Sequence, residues 1–89
     1  MINELDPEIL DQIENNINAR RDFRIGGRGI CIDIALVHGV YVMTVPRADV
    51  EIHGSDLTLN RDDPSLTLWS KGLPVAVIGL LYYTKVTRL

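Results

Sequence analysis

Residues 29–45 have the sequence Gly-Ile-Cys-Ile-Asp-Ile-Ala-Leu-Val-His-Gly-Val-Tyr-Val-Met-Thr-Val, and the rest of the chain is organised around them. Isoleucine or leucine occupies every second position from Ile30 to Leu36, the period at which side chains of an extended strand share one face. His38-Gly39 is typical of a two-residue turn, because glycine adopts positive φ freely and histidine does so more often than most residues. Pro46 ends the second arm, since it has no N–H to donate to a neighbouring strand. The stretch therefore predicts a β-hairpin.

The totals restrict the class of protein. The chain has 89 residues, enough for one domain with a single modest core. Nine basic and twelve acidic residues give a net charge of −3, which disfavours a strongly basic nucleic-acid-binding protein, and the acids are too dispersed for a DNA mimic. Cys31 is the single cysteine, so an internal disulfide is excluded and a reducing, cytoplasmic compartment is expected. Residues 1–7 lack the pattern of a secretory signal, and the apolar segment 73–83 is too short to span a membrane.

The N-terminal segment predicts an α-helix. Asp6 can accept hydrogen bonds from the free amides of the first turn, and Pro7 fits the first helical position. Isoleucine recurs every four residues and forms an apolar stripe along one face of the predicted helix. The stripe consists of Ile9, Ile13 and Ile17. Gly26-Gly27 is expected to end the helix, so residues 1–28 are interpreted as a helix followed by a basic, glycine-rich turn.

Residues 29–89 alternate between short apolar stretches and turn-like segments, at 53–56, 61–65 and 70–72. This pattern predicts five to seven short strands. Residues 75–78 are all apolar, as expected for a strand covered on both faces. The predicted fold is therefore α+β, a single domain over residues 1–89 in which an N-terminal helix precedes a strongly bent antiparallel sheet or small β-barrel.

The order of these elements resembles that of the Sm-like and Src-homology-like small barrels. The likeness concerns architecture, since the sequence signatures of the Sm family are not evident, and no family is assigned. It implies strands that curl until their edges are paired.

A basic cluster holds four of the nine basic residues within nine positions. Its members are Arg20, Arg21, Arg24 and Arg28. One interpretation is an anion or nucleic-acid contact, in which arginine forks and loop amides hold phosphate oxygens. The other is a solvated basic turn at the helix C-terminus. The glycines follow the helix, which reverses the strand–loop–helix order of nucleotide-binding loops and favours the second interpretation.

No residue set predicts catalysis, a cofactor or a metal site. Cys31, His38 and His53 lack the close spacing of zinc ligands, and both histidines are better explained as turn residues. A small buried thiol is commoner than a catalytic one, so Cys31 is not interpreted as a nucleophile. The paired acids Asp62-Asp63 lie in a turn, where solvated carboxylates are the rule.

Several predicted strands are apolar on both faces, more than one short helix can cover. Either the remaining face packs inside the protomer or a partner covers it. Aromatic and methionine side chains on these strands are the candidates for a partner interface. They are Tyr41, Met43, Trp69, Tyr82 and Tyr83.

The leading hypothesis is a small, non-enzymatic protein–protein interaction module. It would be a self-associating subunit, or a binder or inhibitor of a larger protein, and its size fits a phage or mobile-element origin. The alternative is a small barrel that binds RNA or single-stranded DNA, with phosphates at the Arg20–Arg28 turn and bases stacked on surface aromatics.

Overall fold

A computed structural model of the protein describes residues 6–89. One helix, α1, occupies Pro7–Asn18 and is followed by eight strands. The strands are β1 Phe23–Gly27, β2 Ile30–Val37, β3 Val40–Val45, β4 Val50–Gly54, β5 Asp56–Asn60, β6 Ser65–Ser70, β7 Leu73–Gly79 and β8 Lys85–Arg88. A short 3₁₀ helix, Pro46–Ala48, separates β3 from β4. The α+β prediction, with one N-terminal helix before the strands, is confirmed.

The strands form two antiparallel sheets. The larger sheet has the order β4-β3-β2-β1-β8 and the smaller has the order β5-β6-β7. The chain passes between the sheets at Ser55, which joins β4 to β5, and along residues 80–84, which join β7 to β8. Over residues 6–89 no strand pairing links the two sheets. They therefore do not close into the small β-barrel that was the alternative to a bent sheet.

The first strand corrects the predicted end of the helix. The helix ends at Asn18, and the segment expected to continue it is β1, which pairs with both β2 and β8. Phe23 and Ile25 alternate with Arg24, and both apolar side chains are fully buried. Asparagine is a weak helix former, so three asparagines in the second half of α1 oppose further extension. The strand count is consequently eight rather than five to seven.

The N-terminus of α1 follows the sequence prediction. The Asp6 side chain accepts a hydrogen bond from the Glu8 N–H at 3.0 Å, which satisfies one of the free amides of the first turn. The inward face of the helix buries Ile9 and Ile13, and α1 packs against β5 and β8. The Arg61 guanidinium donates to Asp11 Oδ1 at 2.7 Å and so ties the helix to the β5–β6 turn.

Three hairpins of the fold close through the same kind of turn. Arg28-Gly29, His38-Gly39 and Lys71-Gly72 each combine a non-glycine residue at φ of 51 to 55° with a glycine at φ of 80°. Positive φ at both central residues defines the type I′ turn, whose twist matches that of the flanking strands. The predicted His38-Gly39 turn is confirmed.

One core lies between the helix and the inner faces of both sheets. Its fully buried side chains come from the helix, both sheets and the β7–β8 connection. They are Ile13, Phe23, Ile25, Ile34, Met43, Leu66, Leu68 and Leu80. Leu66 and Leu68 of β6 belong to this set, so the central strand of the small sheet contributes two side chains to the core between the sheets.

Gly54 allows β4 to cross closely over β6 before the chain turns at Ser55. A Cβ at this position would lie 2.6 Å from Leu68 Cγ and 2.7 Å from the Trp69 carbonyl oxygen. The Ser55 N–H donates to that same carbonyl at 2.7 Å, so the corner is held against β6 by the backbone. Space, rather than backbone conformation, requires glycine here.

We expect the Gly54→Ala substitution to lower the free energy of unfolding by about 1–3 kcal/mol, the usual cost of overpacking a core. The matched control is Gly26→Ala, another strand glycine, where the nearest atoms to a Cβ lie at 3.8 Å or more. Urea unfolding of both variants measures the difference. Equal stability of the two variants would contradict the close approach at the corner.

Candidate contact surface

The edges of the two sheets differ in how they are protected. The β8 edge has four residues, includes Lys85 and Arg88, and lies beside α1. The β7 edge has seven residues and no charged side chain. Natural sheets protect exposed edges with charges, short strands, prolines or covering elements. In β7 only Pro74, near the start of the strand and beside the irregularity in the β6–β7 register, provides such protection.

The backbone groups of β7 that face outward follow from the register with β6. Ala76 and Ile78 are opposite Leu68 and Leu66, and the Leu80 N–H donates to the Pro64 carbonyl at 2.9 Å in the same register. Alternate pairs of an antiparallel ladder exchange hydrogen bonds. The N–H and C=O groups of Ala76 and Ile78 therefore bond to β6, and those of Val77 and Gly79 point to the free edge.

Exposed apolar side chains concentrate on and beside this strand. Ten large apolar side chains are exposed over residues 6–89, and six of them lie on β7, on the connection that follows it, or across the adjacent groove. These six are Ile30, Leu73, Val75, Val77, Leu81 and Tyr82. Val77 retains 65% and Tyr82 64% of their accessible surface. Isolated exposed apolar residues are normal, but a cluster at one edge makes that edge the candidate contact surface.

A groove runs along the free edge of β7, and we call it the β7 groove. It encloses about 420 Å³. Buried Ile32 and Tyr83 contribute to its lining, as do the exposed side chains Ile30, Val77 and Tyr82. Apolar groups therefore dominate its walls. Burial raises the pKa of the Tyr83 hydroxyl, which stays protonated and uncharged at neutral pH.

A cation stands beside the exposed aromatic ring of the β7 groove. The Arg28 guanidinium carbon lies 5.9 Å from the centre of the Tyr82 ring, within the range of a cation–π contact. The backbone of the connection approaches the β1–β2 hairpin closely here, since a Cβ on Gly27 would lie 2.5 Å from the Tyr82 carbonyl oxygen. The hairpin and the connection thus position the Tyr82 ring together.

The five predicted interface residues fall into two groups. Tyr41, Met43 and Tyr83 are buried in the protomer's own core, so they lack the accessible surface that a contact residue needs. They face inward because their strands turn that side toward the sheets' shared core. Tyr82 is exposed, and Trp69 is half-buried on the outer face of β6. The Trp69 indole N–H donates to Thr58 Oγ1 at 2.8 Å, so its polar group is satisfied within the protomer.

The exposed valines of β7 were missed at the sequence level. The uninterrupted apolar run 75–78 predicted a strand covered on both faces, but the structure covers one face only. Ala76 and Ile78 face the core and are half-buried, and Val75 and Val77 are exposed. The absence of any charge between Lys71 and Lys85 is the sequence signal that could have identified this edge.

The four arginines of the basic cluster occupy separate surroundings. Arg24 lies on the outer face of the larger sheet, and its guanidinium donates to both oxygens of Asp33, at 2.5 and 3.0 Å. Arg21 lines a groove between α1 and β8, Arg28 lines the β7 groove, and Arg20 follows the helix at a φ of 55°. The four arginines are close in sequence, but the structure places them in different surroundings.

The Arg24–Asp33 pair is the ion pair with the clearest effect on protonation. Hydrogen bonds from the guanidinium hold the pKa of the Asp33 carboxyl below its ordinary value of 3.8, and the carboxylate raises the pKa of Arg24. Because the pKa of Asp33 is lower in the folded protein, the pair stabilises the fold above pH 3.8. That stabilisation is lost as the pH falls through the folded-state pKa.

We expect the Asp33→Asn variant to be less stable than the parent at pH 7, and we expect this difference to shrink as the pH is lowered below 3.8. Urea unfolding at a series of pH values measures it. Asp49→Asn, which removes an exposed carboxylate that makes no ion pair within residues 6–89, is the matched control and should show no such trend. A pH-independent difference for Asp33→Asn would contradict the assignment.

No group of three or more histidine, cysteine, aspartate or glutamate side chains that could hold a metal ion occurs over residues 6–89. His53 Nε2 lies 2.6 Å from an oxygen of Glu51 on the exposed face of β4. In residues 6–89 no helix has the length and apolar character needed to cross a membrane.

Comparison with protein-family models, with curated proteins and with solved structures finds no match for this chain. The β7 edge, the grooves and the charges described above are therefore the features that bear on its function.

Proposed function

We propose that the protein is a non-enzymatic interaction module that self-associates through the free edge of β7. The observation that carries this proposal is a seven-residue edge strand without charge, whose outward backbone groups and exposed valines have no covering element among residues 6–89. A second strand added to such an edge supplies the missing hydrogen bonds and covers the apolar side chains. The proposal retains the self-associating subunit inferred from the sequence.

A second copy of β7 fits this edge in antiparallel orientation about a twofold axis. Identical strands can pair in this way because a twofold interface brings the same surface of both subunits together. A register centred on Val77 lets the two Val77 residues exchange N–H···O=C bonds and pairs Val75 with Gly79 of the second copy. The two three-stranded sheets then become one six-stranded sheet.

The charges at the two ends of β7 support this arrangement. Lys71 lies in the turn that precedes the strand, and Asp62-Asp63 lie in the turn beside its other end. None of these three side chains forms an ion pair with residues 6–89. In an antiparallel pair, Lys71 of each copy is at the end that carries Asp62-Asp63 of the other. Lys71 of each copy therefore attracts Asp62-Asp63 of the other copy, and the uncharged centre of the strand brings no like charges together.

Two further features belong to this proposal. Cys31 is the only cysteine of the chain and its thiol is free and half-buried, which fits action in a reducing compartment such as the cytoplasm. The β7 edge could instead receive a strand of a larger protein, as in the binder or inhibitor hypothesis. That occupant is one of the outcomes that a measurement of size distinguishes.

Nucleic-acid binding has one observation in its favour, the Arg28 guanidinium beside the exposed Tyr82 ring. A cation next to an aromatic face can hold a phosphate and stack a base. The other three arginines lie elsewhere, so this alternative has less support than strand pairing. Oligonucleotide binding that weakens steeply with salt and is lost in Tyr82→Ala would favour it.

The outward N–H of Val77 provides a specific test. We expect the protein to sediment at about twice the 10.0 kDa protomer mass at high concentration, and the Val77→Pro variant to sediment as a monomer. Proline removes the N–H that the second copy needs but leaves the β6–β7 hydrogen bonds, which involve Ala76 and Ile78, in place. Val77→Thr, which retains the N–H, is the matched control and should still dimerise.

Analytical ultracentrifugation over a concentration series, with circular dichroism to verify folding, decides between the outcomes. A wild-type protein that remains monomeric at every concentration would contradict self-association. A dimer that is unaffected by a folded Val77→Pro variant would place the interface elsewhere. A monomer that captures a strand of a larger protein through Val77 would favour the binder hypothesis.

A further inference from the structure

A second groove lies between α1 and β8, and we call it the α1–β8 groove. It encloses about 540 Å³, within the size range of small-molecule sites. Its lining combines three side-chain amides with three cations. The lining residues are Gln12, Asn15, Asn16, Arg21, Lys85, Val86, Thr87 and Arg88. The β7 edge and the β7 groove do not share these residues, so this site is independent of self-association.

The charge of the α1–β8 groove is uniformly positive. Arg21, Lys85 and Arg88 line it, and no aspartate or glutamate does. None of the three cations forms an ion pair with residues 6–89, whereas Arg24 and Arg61 are both paired. In a chain with a net charge of −3, three unneutralised cations around one concavity produce a local positive potential.

Asn16 provides an observation that does not depend on charge. Only 5% of this residue is exposed, and its side chain makes no hydrogen bond to residues 6–89. Over the same residues no polar side-chain atom is both sealed from solvent and without a partner, so the Asn16 amide keeps contact with solvent, and the residue lines the groove. A buried side-chain amide normally has a hydrogen-bond partner. Gln12 lies one turn earlier on the same helical face.

We propose that the α1–β8 groove binds a phosphate group. Arginine forks form bidentate bonds to phosphate oxygens, lysine adds a point charge, and the Asn16 amide N–H donates a further bond. A phosphate monoester carries a charge of about −1.5 to −2 at neutral pH, which three cations can neutralise, whereas a carboxylate needs only one fork. Room remains in the groove for the organic part of a phosphate ester.

The same chemistry could come from a small phosphate ester or from the backbone of a single nucleic-acid strand. Titration of the 89-residue chain with inorganic phosphate, a nucleoside monophosphate and a short oligothymidylate separates these sources. Backbone amide shifts in two-dimensional NMR locate the binding. We expect shifts centred on Asn16, Arg21 and Lys85–Arg88 with all phosphate-bearing ligands that enter the groove.

The variants test the groove itself. We expect Arg21→Gln and Arg88→Gln each to weaken phosphate binding about tenfold, as the loss of one charge-assisted bond predicts. Arg47→Gln, which makes the same change in charge outside the groove, is the matched control and should bind as the parent does. Both groove arginines retain accessible surface, and an unchanged NMR spectrum away from the groove verifies folding.

The outcomes distinguish the sources and the proposal. Saturable shifts with the monophosphate that are stronger than those with inorganic phosphate favour a small ester. Tighter binding of the oligothymidylate, with a salt dependence that Arg21→Gln reduces, favours a nucleic-acid backbone. The proposal is overturned if phosphate and both larger ligands cause no shifts in the groove, or if Arg47→Gln weakens binding as much as Arg88→Gln does.

Discussion

Backbone hydrogen bonding at the edges of the two sheets is the constraint on which this structure depends. Strands must pair or be covered, because unpaired N–H and C=O groups attract other chains. Here the chain turns at Ser55 from β4, an edge strand of the larger sheet, directly into β5, an edge strand of the smaller sheet. At the other edge of the larger sheet, α1 lies beside β8. The β7 edge is left with outward groups at Val77 and Gly79. The unpaired β7 edge, which leaves the sheets unclosed, is therefore also the surface proposed for self-association.

Charge is distributed so that each surface has a distinct chemistry. The β7 strand is uncharged, with Lys71 at one end and Asp62-Asp63 near the other. The α1–β8 groove collects three cations that form no ion pair with residues 6–89, although the chain as a whole is acidic. Arg24 is neutralised by Asp33 on the outer face of the larger sheet. The net charge of the chain does not reveal this separation, because it sums the charges of all surfaces.

The accuracy of the sequence predictions followed the range of the interactions that decide them. The helix start, with Asp6 as its cap, and the His38-Gly39 turn depend on neighbours along the chain, and both were predicted. The helix end was wrong, because Phe23 and Ile25 are drawn into a strand by pairing with β2 and β8, far along the sequence. The interface residues Tyr41 and Met43 were misplaced for the same reason, since burial is a property of the assembled sheets.

The sequence by itself determined an α+β domain with one N-terminal helix, glycine turns and short alternating strands, because capping, turn conformation and periodicity are local. Only the tertiary structure decided which face of β7 is exposed, how Gly54 lets β4 approach β6, and that Arg21 meets Lys85 and Arg88 in one groove. These features depend on residues that are distant in sequence and close in space. The backbone path must therefore be known before such juxtapositions can be seen.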